Sequence, residues 1–375
     1  MRIAVVCERF DEWPESIGVS PAALARSLHA IGHEVSVICD CTRAAMVAPG
    51  ITVQSMRGDR WRIVRRPLQF RPWALQMVRA LGADTSLSIC PSVEAMWWAP
   101  GTAWGATAML DELRRSGAYT AFKRASQWLI PRTRAARAAS RSPRSSPAHL
   151  LATDSEQARH VALLTGRARE KITLIGRAAH DPHPDAPAVR SATRRLLRIG
   201  PDSPVILIAS EKIAAPGVAR WLIAVGEFAA TRPARAEVVV LHTGGKSAAP
   251  VTPPPGVRLI RTGRTERSDA LLAASDLVAM STGPSGMLDD SLAADALRAG
   301  VPVIAERGAP SAASLARDFP AAMRTLDQMD QAPVRAGVIA ELIDTPPQRD
   351  LTRAATELDL SRWTRSLVSL FGQPR

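Results

Sequence analysis

The chain has 375 residues, more than one hydrophobic core usually serves, so its length predicts two domains of about 150–200 residues each. Its hydrophobic content of 46% and charged content of 22% are typical of a folded globular protein and exclude global disorder. The formal net charge of +13 favours anionic partners, and no apolar run reaches the roughly 18 residues of a membrane-spanning helix.

The first half of the chain predicts alternating strands and helices. An apolar strand at residues 3–7 is followed by a helix at 21–31, with apolar residues at helical spacing, and by a second strand at 34–39. A strand, a helix and a strand in this order predict parallel pairing with a right-handed crossover. Further strands are predicted at residues 51–56, 85–89, 150–153 and 171–175, and further helices at 71–81 and 155–164.

A second alternation follows a run rich in proline and histidine at residues 179–187, which has no periodicity and predicts an interdomain linker. Beyond it, strands are predicted at 205–210, 236–242, 257–261, 277–280 and 301–305, and helices at 218–230, 268–274, 289–299 and, amphipathic, 359–371. We therefore predict an α/β fold made of two Rossmann-like, doubly wound domains.

The four cysteines, Cys7, Cys39, Cys41 and Cys90, lie in or beside predicted strands of the first third of the chain. Their spacing fits neither a zinc site nor the disulfide framework of a secreted protein. They therefore predict buried thiols in a cytoplasmic protein, and the sequence shows no cluster of metal ligands.

The positive charge is concentrated in residues 1–182, which have 25 Lys and Arg against 15 Asp and Glu. Within them, residues 114–144 contain nine basic residues and no acidic one. This segment fits an anionic bilayer or a phosphorylated glycolipid, or it is simply a solvated, arginine-rich surface. One Tyr and six Phe leave little stacking surface, and there is no groove-reading motif, which argues against nucleic acid. The candidate membrane patch consists of Lys123, Arg124, Arg132, Arg134 and Arg137.

The most specific pattern lies in the second half. Asp276-Leu-Val-Ala-Met-Ser-Thr-Gly-Pro-Ser-Gly286 predicts an apolar strand and a turn, and Asp295-Ala-Leu-Arg-Ala-Gly-Val-Pro-Val-Ile304 the end of a helix and the next strand. Together they resemble the nucleotide-sugar site of retaining GT-B glycosyltransferases, whose usual form is D-x-x-x-x-P-S, E-x-x-G-x-x-x-x-E-A and A-G-x-P-V. The turn and the strand of that pattern are present, whereas its carboxylates are largely replaced.

The resemblance extends in order over nearly the whole chain. Residues 21–35 are similar to the family's first helix. The Gly-Gly pair that precedes this helix in the family is replaced by Ile17-Gly18 here, and Gly18 forms either an acceptor or phosphate loop or an ordinary turn. Residues 153–182 resemble glycosyltransferase family 4, closest in layout to the lipopolysaccharide-core glucosyltransferases, without their Pro-Pro-Gly. Thr243-Gly-Gly245 and Arg261-Thr-Gly-Arg264 resemble two loops of the donor domain.

The family's architecture implies two Rossmann-like domains facing a cleft, with a C-terminal helix that crosses back to the first domain. We accordingly predict an N-terminal acceptor domain at residues 1–180, a linker at 181–200, a nucleotide-sugar donor domain at 201–355 and a crossover helix at 356–375. The motifs imply a set of donor-binding residues: Ser210, Lys212, Gly244, Gly263, Ser285, Gly286 and Asp295.

One departure from the family pattern concerns the donor diphosphate. In the family an Arg and a Lys hold it after the first strand of the donor domain, whereas this sequence has Ala215 and Pro216 at those positions. Lys212 is the nearest substitute. Each charge-assisted bond that is missing costs roughly 1.5–3 kcal/mol.

A second departure concerns the two carboxylates of the E-x7-E motif. Asp295 takes the place of the second, which binds ribose in the family, or it is an ordinary acid on a helix surface. The first, which contacts the sugar, falls on Met287, or on Gly283 if an insertion is allowed. The acids nearest to that position, and hence the candidates for a catalytic role, are Asp289 and Asp290.

Two further groups of residues have open interpretations. His180 and His183 lie in the predicted linker, and we expect both to be solvated. Trp97, Trp98 and Trp104 either line an acceptor or lipid-facing cleft or pack in the interior of the first domain.

The resemblance implies a hexosyltransferase that moves sugar from a nucleotide-sugar to a glycolipid or polysaccharide with retention, in cell-envelope glycan biosynthesis. It implies no cofactor and no tightly bound metal, because such transfer depends mainly on positioning and on stabilising the departing diphosphate. We expect a cytoplasmic protein, peripheral on the inner membrane face. The alternatives are a degenerate, non-catalytic GT-B protein that binds a sugar-nucleotide or a partner enzyme, and a sugar-nucleotide epimerase on the same fold.

Overall fold

The computed structural model describes residues 1–10, 19–42, 48–56, 67–90, 93, 95–99, 149–212, 216–233, 237–245, 251–263, 268–280, 290–306, 310–327 and 330–372. The chain divides into two compact units. One comprises Met1–Ala178 together with Leu360–Arg375, and the other comprises Ala179–Asp359.

The first unit is built on a parallel sheet with the order β3-β2-β1-β4-β5-β6-β7. Its described strands are β1 (Arg2–Phe10), β2 (Glu34–Thr42), β3 (Ile51–Ser55), β4 (Thr85–Ser88), β5 (Trp97–Trp98), β6 (His149–Ala152) and β7 (Ile172–Leu174). Its described helices before residue 179 are α1 (Pro21–Ala30), α2 (Pro67–Ala80) and α3 (Ser155–Thr165), with a short 3₁₀ turn at Arg169–Lys171.

The apolar run of β1 is buried on both faces of this sheet. Ile3 and Val5 pack in the cluster that includes α1, whereas Ala4 and Val6 pack in a second cluster with α2. Helix α1 begins after Ser20, whose Oγ accepts from the N–H of Ala23 at 3.1 Å. Such two-sided burial explains why the parallel strands have near-continuous apolar sequences that are recognisable without a structure.

The second unit has a parallel sheet with the order β10-β9-β8-β11-β12-β13. Its strands are β8 (Val205–Lys212), β9 (Val238–Gly245), β10 (Val257–Gly263), β11 (Leu277–Met280), β12 (Val303–Glu306) and β13 (Met323–Leu326). Its described helices are α4 (Ala186–Leu196), α5 (Pro216–Ala230), α6 (Ser268–Ala274), α7 (Asp290–Arg298), α8 (Pro310–Asp318), α9 (Ala332–Asp344) and α10 (Gln348–Glu357).

The two faces of this second sheet have separate cores. Val239 and Leu241 of β9 pack on the face that includes α6 and α7, whereas Val238 and Val240 pack on the opposite face under α5 and α9. The last residue of β12, Glu306, shares the face of Ile304, because alternate residues of a strand point the same way. Glu306 therefore lies beneath α5 and α9.

A C-terminal helix, α11 (Leu360–Phe371), returns to the first unit. Leu360, Trp363 and Leu367 join the core cluster of β1 and α1, and the hydroxyls of Thr364 and Ser27 lie 2.8 Å apart. The prediction that the C-terminal helix crosses back to the first domain is therefore confirmed. Because this helix fills part of that core, the first unit is assembled from both ends of the chain.

Part of the segment predicted as a linker has regular structure. Residues 186–196 form α4, which begins after Asp185, whose carboxylate accepts from the N–H of Ala188 at 3.3 Å. Pro187 lies in the first turn of the helix, where a proline removes no helical hydrogen bond. A proline-rich run thus resembles a linker in sequence although it starts a helix of the second unit.

The cysteine prediction is confirmed where it is described. Cys7, Cys39 and Cys90 are buried as thiols, and the side chain of Cys41 lies outside the described residues. None of the described helices is long and apolar enough to cross a bilayer.

Candidate functional site

The second sheet has a topological switch point between β8 and β11. From β8 the chain winds outward through β9 and β10, and it then returns to build β11, β12 and β13 on the other side of β8. In open α/β sheets, ligands bind outside the carboxyl ends of the strands at such a point. Residues 213–215 and 281–289, which follow the two central strands, lie outside the described part of the chain.

Helix α7, which leads from this edge towards β12, positions Asp295. Its carboxylate accepts from the main-chain N–H of His180 at 2.8 Å, and both of its oxygens lie within 3.1 Å of Nδ1 of the same histidine. The His180 side chain is a quarter exposed. The expectation that His180 is simply solvated is therefore wrong, because Asp295, 115 residues later in sequence, holds both its backbone and its ring.

The same helix also contacts the segments at the two ends of the second unit. Arg298 contacts Asp181 at 3.3 Å and Asp359 at 2.8 Å. The N–H of Ala179 donates to the carbonyl of Leu358 at 2.9 Å. The segments at which the chain enters and leaves the second unit are therefore attached to one another and to the helix that presents Asp295.

Two arginines enclose a buried carboxylate at the same edge of the sheet. Nε and Nη2 of Arg220 donate to Oε1 of Glu306 at 3.1 and 2.9 Å, and Nη2 also reaches Oε2 at 3.0 Å. Nη1 of Arg335 lies 3.2 Å from Oε1 of the same carboxylate. Glu306 is 0% exposed and Arg335 is 1% exposed, so this ion cluster is almost entirely withdrawn from water.

Arg335 is fixed by further contacts. Its Nε and Nη2 donate to the carbonyls of Asp330 and Asp327 at 3.1 and 2.7 Å, and its guanidinium lies 4.7 Å from the ring centroid of Trp221. These contacts compensate the burial of its charge. Sequence reasoning did not find this cluster, and its one signal was a glutamate placed directly after the apolar run of β12.

His242, on β9, is a buried histidine on the α5 side of the sheet. It is 2% exposed, and its Nε2 has no hydrogen-bond partner. Desolvation by burial, followed by the positive charge of Arg261, lowers the pKa of His242 from its ordinary 6.5 to about 4. The imidazole is consequently neutral at physiological pH.

Gly263 is the other predicted donor residue whose surroundings are described. It ends β10 with φ 70°, a left-handed conformation that disfavours residues with a Cβ, and the pairing register with β9 shifts between Arg261 and Gly263. The hydroxyl of Thr243 donates to its carbonyl at 3.3 Å. The glycine is therefore needed for the shape of this strand end.

The remaining predicted site residues are described in part or not at all. For Ser210, Lys212, Gly244 and Asp290 only the backbone element is described. Outside the described residues lie Gly18, Ser285, Gly286 and Asp289, together with the whole basic patch of Lys123, Arg124, Arg132, Arg134 and Arg137. Their roles stay predictions.

The tryptophan pair of the first unit packs in its interior. Trp97 stacks on His149 with ring centroids 4.2 Å apart, and Trp98 donates from Nε1 to the carbonyl of Cys90 at 2.9 Å. Both side chains are buried. Of the two interpretations left open, packing is confirmed for this pair, and Trp104 lies outside the described residues.

His183, by contrast, is exposed as expected, and its Nδ1 accepts from the N–H of Asp185 at 3.1 Å. Among the described residues, no group of three or more His, Cys, Asp or Glu side chains is placed to hold a metal ion.

Comparison with known proteins gives similarity in structure only. No model of a known protein family matches the sequence, and no curated protein matches it significantly. The crystal structure of WaaG, a glycosyltransferase involved in lipopolysaccharide biosynthesis, matches 99% of this chain and 100% of that one, at 13% identity and a TM-score of 0.65. Anabaena HepE in complex with UDP-glucose matches 99% of both chains at 13% identity, with a TM-score of 0.60.

Sucrose-phosphate synthase from Thermosynechococcus elongatus is also similar, at 14% identity and a TM-score of 0.58 over 99% of this chain and 98% of that one. At such identities the similarity shows the fold. The chain has two Rossmann-like domains with parallel sheets, and its structure matches those of GT-B glycosyltransferases.

Proposed function

We propose that the protein is a glycosyltransferase that moves a hexose from a nucleotide-sugar to a glycolipid or polysaccharide acceptor, with retention of configuration. The observation that supports this most is the match over nearly the full chain to glycosyltransferase structures, one of which is in complex with UDP-glucose. The motif that runs from Asp276 to Ile304 agrees with it, because β11, α7 and β12 lie at the switch point of the second sheet.

In this proposal the second unit binds the donor at the carboxyl edge of its sheet. The amino end of α7 favours negative charge near the phosphates, and Asp295, oriented by His180, accepts bonds from the ribose hydroxyls. Transfer depends on positioning the sugar and on stabilising the departing diphosphate. Neither requirement involves a tightly bound metal in the proposed reaction, and the first unit would bind the acceptor at the cytoplasmic membrane face.

Calorimetric titration with UDP-, GDP-, ADP- and TDP-sugars, without added metal, is the first test. We expect micromolar affinity for the sugars of one base. The bound donor is then incubated with glycolipid acceptors, and NMR of the product shows whether the anomeric configuration is retained. Addition of EDTA or of Mg²⁺ is the control for metal dependence.

Each result of that titration has a distinct meaning. Absence of binding across the panel would contradict the proposed donor site. Binding without turnover on any acceptor would instead favour a non-catalytic protein that holds a sugar-nucleotide. An inverted product would exclude retention and leave the transferase assignment intact.

A further inference from the structure

Arg220 binds a residue at the carboxyl end of β12, the strand next to β11 of the switch point. Ala209 of β8 pairs with Met280 of β11, and Met280 pairs with Ala305 of β12. Glu306 is therefore one residue beyond the level at which β11 ends. Arg220 belongs to the helix after β8 and pairs with Glu306 on β12, so the contact joins two elements that β11 separates in the order of the sheet.

Two guanidinium groups share the carboxylate of Glu306. Arg335 pairs with it in the interior, where both side chains are almost fully buried, and Arg220 pairs with it from a partly exposed position. Arg220 thus brings a positive charge to the edge of the sheet where ligands of this fold class bind.

Of the two arginines, only Arg220 is accessible. Its side chain is 33% exposed, whereas Arg335 is enclosed by Glu306, by two carbonyls and by Trp221. Arg220 uses Nε and Nη2 on the carboxylate, and its Nη1 donates to none of the residues that the structure describes. One edge of a fixed, planar guanidinium is thus left for an anion.

We propose that Arg220 binds the diphosphate of the nucleotide donor and that Glu306 is its positioning residue. This inference rests on the proposed donor site in the second unit. It assigns to helix α5 a cationic contact in addition to Lys212, since the two positions that hold the diphosphate in the family are Ala215 and Pro216 here. Because Glu306 already holds the guanidinium in one orientation, little side-chain freedom is lost when the anion binds.

The test measures the affinities of three probes: a nucleoside diphosphate, the corresponding nucleoside and inorganic pyrophosphate. The base is the one that the sugar-nucleotide panel selects, and pyrophosphate is a probe that does not depend on the base. In Arg220→Met we expect affinity for the diphosphate and for pyrophosphate to fall about tenfold or more, with affinity for the nucleoside unchanged. Glu306→Gln, which keeps the charge of Arg220 but weakens its anchor, should show a smaller loss that is again confined to the phosphate-containing probes.

Arg232→Met is the matched control. Arg232 follows the carboxyl end of α5, pairs with Asp344 at 2.6 Å and lies over Phe228, far along the helix from Arg220. Its loss should leave all three affinities unchanged. If Arg220→Met folds poorly, Arg220→Lys is the second variant. It keeps a positive charge beside Glu306 but lacks the planar fork, so the loss should again be confined to the phosphate-containing probes.

Five outcomes decide whether this inference stands. Selective loss of diphosphate and pyrophosphate binding supports the assignment. An equal loss of affinity for the nucleoside in Arg220→Met would show that Arg220 has a structural role. Unchanged affinities in that variant would show that Arg220 is not part of the site. Either result overturns the inference and leaves the proposed function standing. A wild-type protein that binds pyrophosphate through Arg220 but no nucleotide would support the anion site and contradict the proposed function, and one that binds neither would overturn both.

Discussion

The carboxylate of Asp295 accepts hydrogen bonds from the main-chain N–H of His180 at 2.8 Å and from Nδ1 of its ring at 3.1 Å. A carboxylate fixed in this way has lone pairs left for a ligand and little freedom to lose when it binds one. If it holds ribose hydroxyls, Asp295→Ala should weaken nucleotide binding about tenfold or more. Because the backbone bond to Asp295 survives in His180→Ala, that variant should lose less affinity.

A deoxynucleotide separates a ribose contact from a structural effect of the same variant. The wild type should bind the ribonucleotide more tightly than its 2′-deoxy form, and Asp295→Ala should bind both alike. A variant that discriminates between the two sugars as well as the wild type does would remove Asp295 from the ribose site, however much its overall affinity fell.

Asp276 holds the start of β8 to helix α4, and its loss should destabilise the second unit. Its carboxylate accepts from Arg194 and from the N–H of Val205, both at 2.8 Å, and it also pairs with Arg190. Desolvation by burial lowers the pKa of Arg194, so the ion pair compensates an appreciable cost. We expect Asp276→Ala to cost about 3 kcal/mol, measured as lost hydrogen-exchange protection of β8 and β11.

The control is Glu341→Ala. Glu341 pairs with Arg324 at 2.5 Å, but about half of each of these side chains is exposed, so its loss should cost less than about 1 kcal/mol. Equal effects of the two variants would show that the network around Asp276 is not a specific anchor.

The sequence predicted most of the regular structure because buried parallel strands have apolar runs bounded by turn residues. The strand predicted at residues 277–280 and the helix predicted at 268–274 are observed with those bounds. Strand β13 was missed because it is four residues long and half polar. Helices α8, α9 and α10 were also missed.

The candidate site was less predictable, since its contacts join residues that are distant in sequence. The motif located Asp295 on its helix, but nothing in the linker indicated that His180 would be its partner. Arg220 and Glu306, 86 residues apart, look like an ordinary helix arginine and an ordinary strand end. Only the order of strands in the sheet brings them together.

The C-terminal helix should be essential to the first unit. Trp363 is 5% exposed, packs in the core that contains α1, and donates from Nε1 to the carbonyl of Gly176 at 3.4 Å. Trp363→Ala should cost about 3–5 kcal/mol, because it leaves a large cavity. Urea unfolding followed by hydrogen exchange of β1 measures the loss. In Arg365→Ala, which removes an exposed side chain of the same helix, the change should stay within about 0.5 kcal/mol.

The basic segment at residues 114–144 should bind anionic membranes through its charge alone. Reversal to Glu at Arg132, Arg134 and Arg137 should reduce binding to anionic liposomes at low salt and matter less at high salt, because salt screens the attraction. Co-sedimentation measures the bound fraction. The matched control reverses three exposed arginines of the second unit, Arg195, Arg317 and Arg349. Equal binding by the two triple variants would leave the basic segment as an ordinary solvated surface.

His242 should make the stability of the second unit depend on pH. Burial lowers the pKa of His242 to about 4 in the folded protein, whereas the unfolded chain has the ordinary value of 6.5. Between these values the unfolded state binds a proton that the folded state does not. Stability is therefore full above about pH 6.5 and falls by about 1.4 kcal/mol per pH unit as the pH is lowered towards 4.

Urea unfolding at pH 7, 6 and 5 measures this slope, and His242→Leu should remove it. Since Nε2 of His242 has no partner, the leucine leaves no hydrogen bond broken and should cost little at pH 7, where the imidazole is neutral. His183→Gln, at an exposed histidine, should keep the wild-type slope. Should His242→Leu retain the full pH dependence, another group must be responsible, and the neutral, buried state of His242 would not be the cause.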